Sequence, residues 1–149
     1  MALIYRAHFA FSKNPIVNSK GVNTSAVYGF LNTLLELINK EKPTHFAVAF
    51  DTKAPTFRSE IFTEYKANRE RQPEDIQVAI PIIKKFLNNL NIQIVEKDGF
   101  EADDVIGTLS YEISQEKNTK IFMMTPDKDF AQLVKENVFL YKPAFMGRG

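Results

Sequence analysis

The sequence holds no cysteine and no tryptophan, and only two histidines, His8 and His45, among its 149 residues. Without cysteine there is no disulfide and no thiolate metal site. Two histidines leave little for zinc, which favours nitrogen and sulfur ligands. No sign of charge dominates either: 19 basic and 18 acidic side chains leave a net charge of +1. The chain as a whole is therefore not a strongly basic nucleic-acid binder, although a local basic patch offset by an acidic centre fits the same total. Long hydrophobic runs are missing too, and the apolar stretches are far too short to cross a bilayer. Residues 1–6 lack the apolar core and cleavage pattern of a secretion signal. A cytoplasmic protein with no membrane association is expected. What remains is an ordinary globular composition, with 44% hydrophobic residues and a length suited to one domain with its own core.

Periodicity supplies the elements. Leu3 to Phe11 is apolar and aromatic, with Arg6 and His8 inside it, and reads as a short helix. Ser12 to Asn23, with Pro15 and Gly21, reads as a loop. Val27, Phe30, Leu31, Leu34, Leu35 and Ile38 form one helical stripe, capped by Thr24 or Ser25 and stopped at Pro43. Phe46 to Phe50 is a continuous apolar run closed by Asp51, the pattern of a buried parallel strand. Residues 52–72 mix basic, acidic and aromatic side chains. Pro73 then opens a second long helix through Ile76, Ile80, Ile83, Leu87 and Leu90, with a kink expected at Pro81. Ile92 to Val95 is a strand, residues 102–113 a helix, Lys120 to Met124 a strand, Phe130 to Val134 a short helix and Val138 to Tyr141 a last strand. Strands alternating with helices predict an α/β domain with a central, mainly parallel sheet flanked by helices.

The densest chemistry lies at Gly99-Phe100-Glu101-Ala102-Asp103-Asp104-Val105-Ile106-Gly107. Glu101, Asp103 and Asp104 fall in the first turn of a helix that follows a strand. Acids there complement the helix dipole, and many do nothing else. Three together repel and raise one another's pKa, a penalty that a divalent cation removes. The cluster alone leaves both readings open. The other strands sharpen it. Asp51 follows one, and Asp127 and Asp129 follow another. Parallel strands bring their carboxyl ends to one edge, where open α/β sheets bind ligands. Six converging acids predict oxygen-only ligation of Mg²⁺, with Mn²⁺ able to substitute. Six exceed what one ion needs, so two ions are expected, the usual device for phosphodiester hydrolysis. An EF-hand beginning at Asp127 fails because Ala131 and Gln132 stand where an oxygen ligand and a glycine are required. An aspartyl-nucleophile phosphatase would leave Asp51 and the Glu101 cluster without a task.

Several segments then match a known pattern in order and spacing. They are Tyr5-Arg6-Ala7, Tyr28-Gly29, Ala49-Phe50-Asp51, Thr56-Phe57-Arg58, Tyr65-Lys66-Ala67-Asn68-Arg69, the Gly99–Gly107 stretch and Thr125-Pro126-Asp127-Lys128-Asp129. Together they resemble the 5′-nuclease (5′-3′ exonuclease) domain of bacterial DNA polymerase I, of the flap endonuclease family. The resemblance implies a PIN-like (resolvase-like) fold over residues 1–149, with a flexible arch over 52–72. It implies two Mg²⁺ ions and hydrolysis of phosphodiester bonds at the 5′ end of DNA flaps, nicks or RNA primers in replication and repair. Asp51, Glu101 and Asp103 match the first metal group, with Asp104 beside them, and Asp127 and Asp129 match the second. Tyr65, Lys66 and Arg69 match the base of the arch, with Lys66 and Arg69 at the reacting phosphate. Arg6 and Arg58 match basic DNA-contacting positions. A monomer is implied, with a polymerase domain normally in the same chain.

The sequence also departs from the family. Pro126 stands where glycine is common. The family's opening strand, which ends in a metal-binding aspartate, and its C-terminal helix-hairpin-helix-like module are expected to be absent. On that view this chain is a truncated form with weak or no activity. The alternative is a non-catalytic DNA-binding or structural remnant of the same domain. An RNA-cleaving PIN nuclease fits the Tyr65–Arg69 segment less well.

Overall fold

The computed structural model describes residues 1–62, 64–65 and 71–142. Its elements run in the order α1 (Ala2–Ala10), α2 (Ser25–Glu41), β1 (Ala47–Ala49), α3 (Phe57–Ile61), α4 (Glu74–Asn89), β2 (Gln93–Val95), α5 (Ala102–Ile113), β3 (Ile121–Met124), a 3₁₀ helix (Lys128–Leu133) and β4 (Val138–Tyr141). The helical stripes read from the sequence account for the main core. Ile4 and Ala7 of α1, Val27, Phe30 and Leu34 of α2, and Ile76, Ala79, Ile83 and Leu87 of α4 are buried together around Phe50. Those positions recur at three- and four-residue intervals, so each helix turns one apolar face inward. α2 stops where Lys42, just before Pro43, takes the left-handed conformation (φ 46°). Glu74 and Asp75 occupy the first turn of α4, the favourable end of the helix dipole, and the helix continues through Pro81.

The strands differ from expectation. Every strand pair is parallel, but among the described residues they form two pairs, β1–β2 and β3–β4, rather than one continuous sheet. Ala47, Val48 and Ala49 face Gln93, Ile94 and Val95, and Phe50 N–H extends the ladder to the Val95 carbonyl at 3.0 Å. Ile121 to Met124 pair in register with Val138 to Tyr141. The link between the pairs is α5, which packs on both β1 and β3. The second pair has its own small core of Met123, Phe130 and Val138. With a partner on one side only, β1 is exposed to half-buried along its length rather than buried; the fully buried residue of that run is Phe50. The short helix after β3 is 3₁₀ and begins at Lys128, because the Asp127 side chain caps it by accepting the Asp129 N–H at 2.9 Å.

α1 and α2 cross at close range over Gly29. A Cβ at that position would lie 2.9 Å from the Ala7 Cβ and 3.2 Å from Phe11 Cε2. Gly29→Ala gains helix propensity of about 1 kcal/mol, but the overlap must push α1 off α2, a strain of ~1–3 kcal/mol. We expect a lower midpoint in urea unfolding for Gly29→Ala, and recovery in the Ala7→Gly/Gly29→Ala double variant. An unchanged midpoint in the single variant would contradict the crossing geometry.

Candidate metal and nucleic-acid site

The carboxyl ends of β1 and β3 and the first turn of α5 meet at one edge. Glu101 is the N-cap residue of α5. The carboxylate of Asp51, just beyond β1, accepts the N–H of Ala102 at 2.8 Å and so ties β1 to the start of α5. Asp104 turns back to accept the Glu101 N–H at 3.0 Å, the acidic arm of a capping box. It also receives both ends of the Arg58 guanidinium, Nη1 and Nη2, each at 2.6 Å. That fork raises the Arg58 pKa above its usual range. Thr125 Oγ1 accepts the Asp127 N–H at 3.1 Å, setting the turn out of β3.

Several of these acids thus do the modest work of holding helix starts. Asp103 does not. Its carboxyl is pushed above the usual carboxylate range, first by partial desolvation, then by the negative charges of Asp51, Asp127 and Glu101. Acids that follow β1 and β3 therefore act on one group in α5. The α-ammonium of Met1 partly offsets them. Burial lowers its pKa, while Asp51 and Asp103 pull it the other way.

The expected residues divide accordingly. Asp51, Glu101 and Asp127 are brought near enough to act on Asp103. Both oxygens of Asp104 are engaged by Arg58. Asp129 is exposed on the first turn of the 3₁₀ helix. Among the described residues no three acids lie close enough to grip one ion together, so the six-acid crevice is wider here than a ligand shell. The donor chemistry fits a hard cation: carboxylates from separate segments, held near one another against their repulsion. Arg58, expected at DNA, instead faces Asp104; Tyr65 lies near enough to strengthen its charge. Arg6 sits half-buried on α1. Lys66 and Arg69, and part of the expected arch, lie outside the described residues. What is described of 52–72 is docked: α3 is tied to the acid loop by the Phe57 N–H to the Gly99 carbonyl at 2.9 Å.

Sequence reading had no access to the Arg58–Asp104 fork, since 46 positions separate the partners. Nor did it find the contact of the Phe57 and Phe100 rings, whose centres are 5.5 Å apart.

Solved structures share this architecture. A zinc-bound bacteriophage T5 5′-exonuclease superposes with a TM-score of 0.65 at 19% identity, covering 95% of this chain and 52% of that one. A bacteriophage T5 flap endonuclease variant, in a pseudo-enzyme–product complex with DNA and metal ions, gives 0.63 at 18% identity, covering 95% and 52%. At such identities the likeness is one of fold alone, an α/β domain with parallel strand pairs. Sequence carries the assignment further. The profile of the 5′-3′ exonuclease N-terminal resolvase-like domain matches residues 1–148, and the chain belongs to that family. It is 44% identical over 142 residues to a 5′-3′ exonuclease of Aquifex aeolicus, covering 95% of this chain and 48% of that protein. It is 42% identical over 139 residues to DNA polymerase I of Caldicellulosiruptor bescii, covering 92% and 16%. The chain therefore spans about half the length of the first and about one sixth of the second.

Two stability outcomes follow from the geometry. Arg58→Lys keeps the charge but loses the fork; the partly exposed pair should cost about 1 kcal/mol, a fall of roughly 2–4 °C in Tm. A Tm equal to wild type would mean that the fork does not hold α3 to α5. Asp103→Asn should raise the Tm of the metal-free protein at neutral pH. A carboxyl whose native pKa is elevated binds protons more tightly folded than unfolded, so stability falls as pH rises through the native value. The penalty is absent below the unfolded pKa of about 3.9. The advantage of the variant should therefore shrink as pH is lowered, in melts across pH 4–8.

Proposed function

We propose that this chain is the metal-dependent catalytic part of a 5′-3′ exonuclease and flap endonuclease, hydrolysing phosphodiester bonds near 5′ ends of DNA. The observation that carries the reading is the convergence of like charge on Asp103 from acids following both β1 and β3. Such repulsion is a standing cost to the fold and is relieved by a divalent cation. Asp51, Glu101, Asp103 and Asp127 are assigned to hold it, with Asp129 completing the second group. When bound, Mg²⁺ or Mn²⁺ supplies charge neutralisation at the scissile phosphate and a nucleophile at neutral pH.

The chain's own residues do the rest. Asp51 and Asp104 fix the start of α5, so the acids beside them keep their spacing through the reaction, which two-metal chemistry demands. Arg58 buttresses Asp104 and presents its remaining donors toward solvent-side phosphates. Lys66 and Arg69, assigned on motif, take the role of stabilising charge at the reacting phosphate. Tyr65, and Arg6 from α1, contact the strand. The substrate is DNA with a 5′ flap, nick or RNA primer; the protein acts as a cytoplasmic monomer.

A second reading, DNA binding without turnover, is favoured by one observation: among the described residues no three acids come within reach of one ion. Two measurements separate the readings. At a hundredfold excess over its Kd, Mn²⁺ should stabilise the fold by about 2.7 kcal/mol, or roughly 5–10 °C in Tm. Asp103→Ala should abolish that shift. A 5′-labelled flap oligonucleotide should be cut by wild type in Mn²⁺ and not in EDTA, with Asp103→Ala at least a hundredfold slower, on the order of a lost transition-state contact. A metal-induced shift without cleavage would leave binding alone as the function. No shift at all would remove the metal site.

A further inference from the structure

The residues flanking the acidic edge carry an apolar surface that the core does not use. Phe57 opens α3, a five-residue helix with no buried residue, and stays 36% exposed. Phe100, immediately before Glu101, is 43% exposed. Their ring centres lie 5.5 Å apart with planes inclined at 52°. The Arg58 guanidinium carbon stands 4.6 Å from the centre of the Phe57 ring. The backbone that carries these rings is anchored. The Phe57 N–H is bonded to the Gly99 carbonyl, the Phe100 N–H to the Lys97 carbonyl, and Arg58 is forked onto Asp104. Gly99 itself takes a positive φ of 83°, turning the chain so that Phe100 faces α3. Phe62, 57% exposed, extends the apolar surface along the same segment.

Exposed aromatic rings cost solubility and return nothing to this core. Carried on anchored backbone beside a charged edge, each ring offers an apolar face of its own, that of Phe57 backed by the Arg58 guanidinium, on which a base can stack. We propose that Phe57 and Phe100 form a platform on which an unpaired nucleobase of single-stranded DNA stacks, registering the strand against the acids that begin one residue away at Glu101. The proposal rests on the reading of this edge as a DNA site. The occupant is a nucleobase rather than an apolar protein segment because the platform is continuous with the edge assigned to phosphates. Every base also has a π-face, so stacking here would be indifferent to sequence.

The test uses an eight-nucleotide oligothymidylate carrying one 2-aminopurine, and the same oligonucleotide with an abasic site at that position, both in EDTA. Stacking quenches 2-aminopurine, and the protein has no tryptophan to interfere. Wild type should quench the probe and bind the abasic strand about tenfold more weakly. Phe57→Leu/Phe100→Leu should lose the quenching and about tenfold in affinity for the probe, with no further loss for the abasic strand. If the double variant melts early, Phe100→Leu alone, at an exposed loop position, carries the comparison. Equal binding of probe and abasic strand by wild type, or quenching retained in the variants, overturns the platform; so does failure to bind any oligonucleotide. The Mn²⁺-induced rise in Tm, recorded on separate EDTA-free samples of the same proteins, keeps the two ideas apart. Its absence alongside base-dependent quenching removes the metal reading and leaves the platform, and its presence with equal binding does the reverse.

Discussion

Like charges gathered at the start of α5 are the constraint around which this domain is arranged. Carboxylates that repel in water repel more strongly at a partly desolvated edge. The local answer is a set of donors. Ala102 N–H serves Asp51, Glu101 N–H and Arg58 serve Asp104, and Asp129 N–H serves Asp127. Each carboxylate so engaged is held in place while its charge is shared. Asp103 caps no helix and bears the strain as a raised affinity for protons. A residue whose removal should help the empty fold is thus one of those proposed to hold the metal, a common form of the trade between stability and activity.

The remaining architecture keeps that edge rigid. A three-helix core of α1, α2 and α4 closes over Phe50, the residue directly before Asp51, so the acid emerges from a fixed point. Lys84 of α4 reaches across, pairing with Glu96 and standing 5.0 Å above the Phe50 ring. On the other side Phe130, directly after Asp129, is buried against Met123 and Val138. α5 packs on both β1 and β3, so the two small cores share one helix and its first turn. This is how short strands, three or four residues each, can position chemistry at all.

α3 is a different kind of element. It buries nothing, and a five-residue helix is far below the length that is stable alone. Its position is owed to polar links with the acid loop: the Phe57 N–H, and the Arg58 fork. Arg58 therefore joins the segment bearing the basic and aromatic motif residues to the helix bearing the acids. Arg58 is a strut between two parts of one site.

Much of this was legible in order along the chain. Stripes at Val27, Phe30 and Leu34 and at Ile76, Ile83 and Leu87 define helices because side chains three and four apart share a face whatever surrounds them. Runs closed by Asp51 and by Asp127 mark strand ends, and a first helical turn containing Glu101, Asp103 and Asp104 is visible because it is contiguous. The family motifs share that property, each being a short local string. What the string could not decide was pairing across distance. Whether β1 meets one neighbour or two sets its burial, and among the described residues β1 has one. Which cation answers Asp104 depended on a partner 46 residues away. How near Asp51 and Asp127 come to Asp103 depended on α5 spanning two strand pairs. Local periodicity follows from bond geometry and is written in sequence; electrostatic neighbourhood falls off with distance through space, and only the folded chain sets that distance.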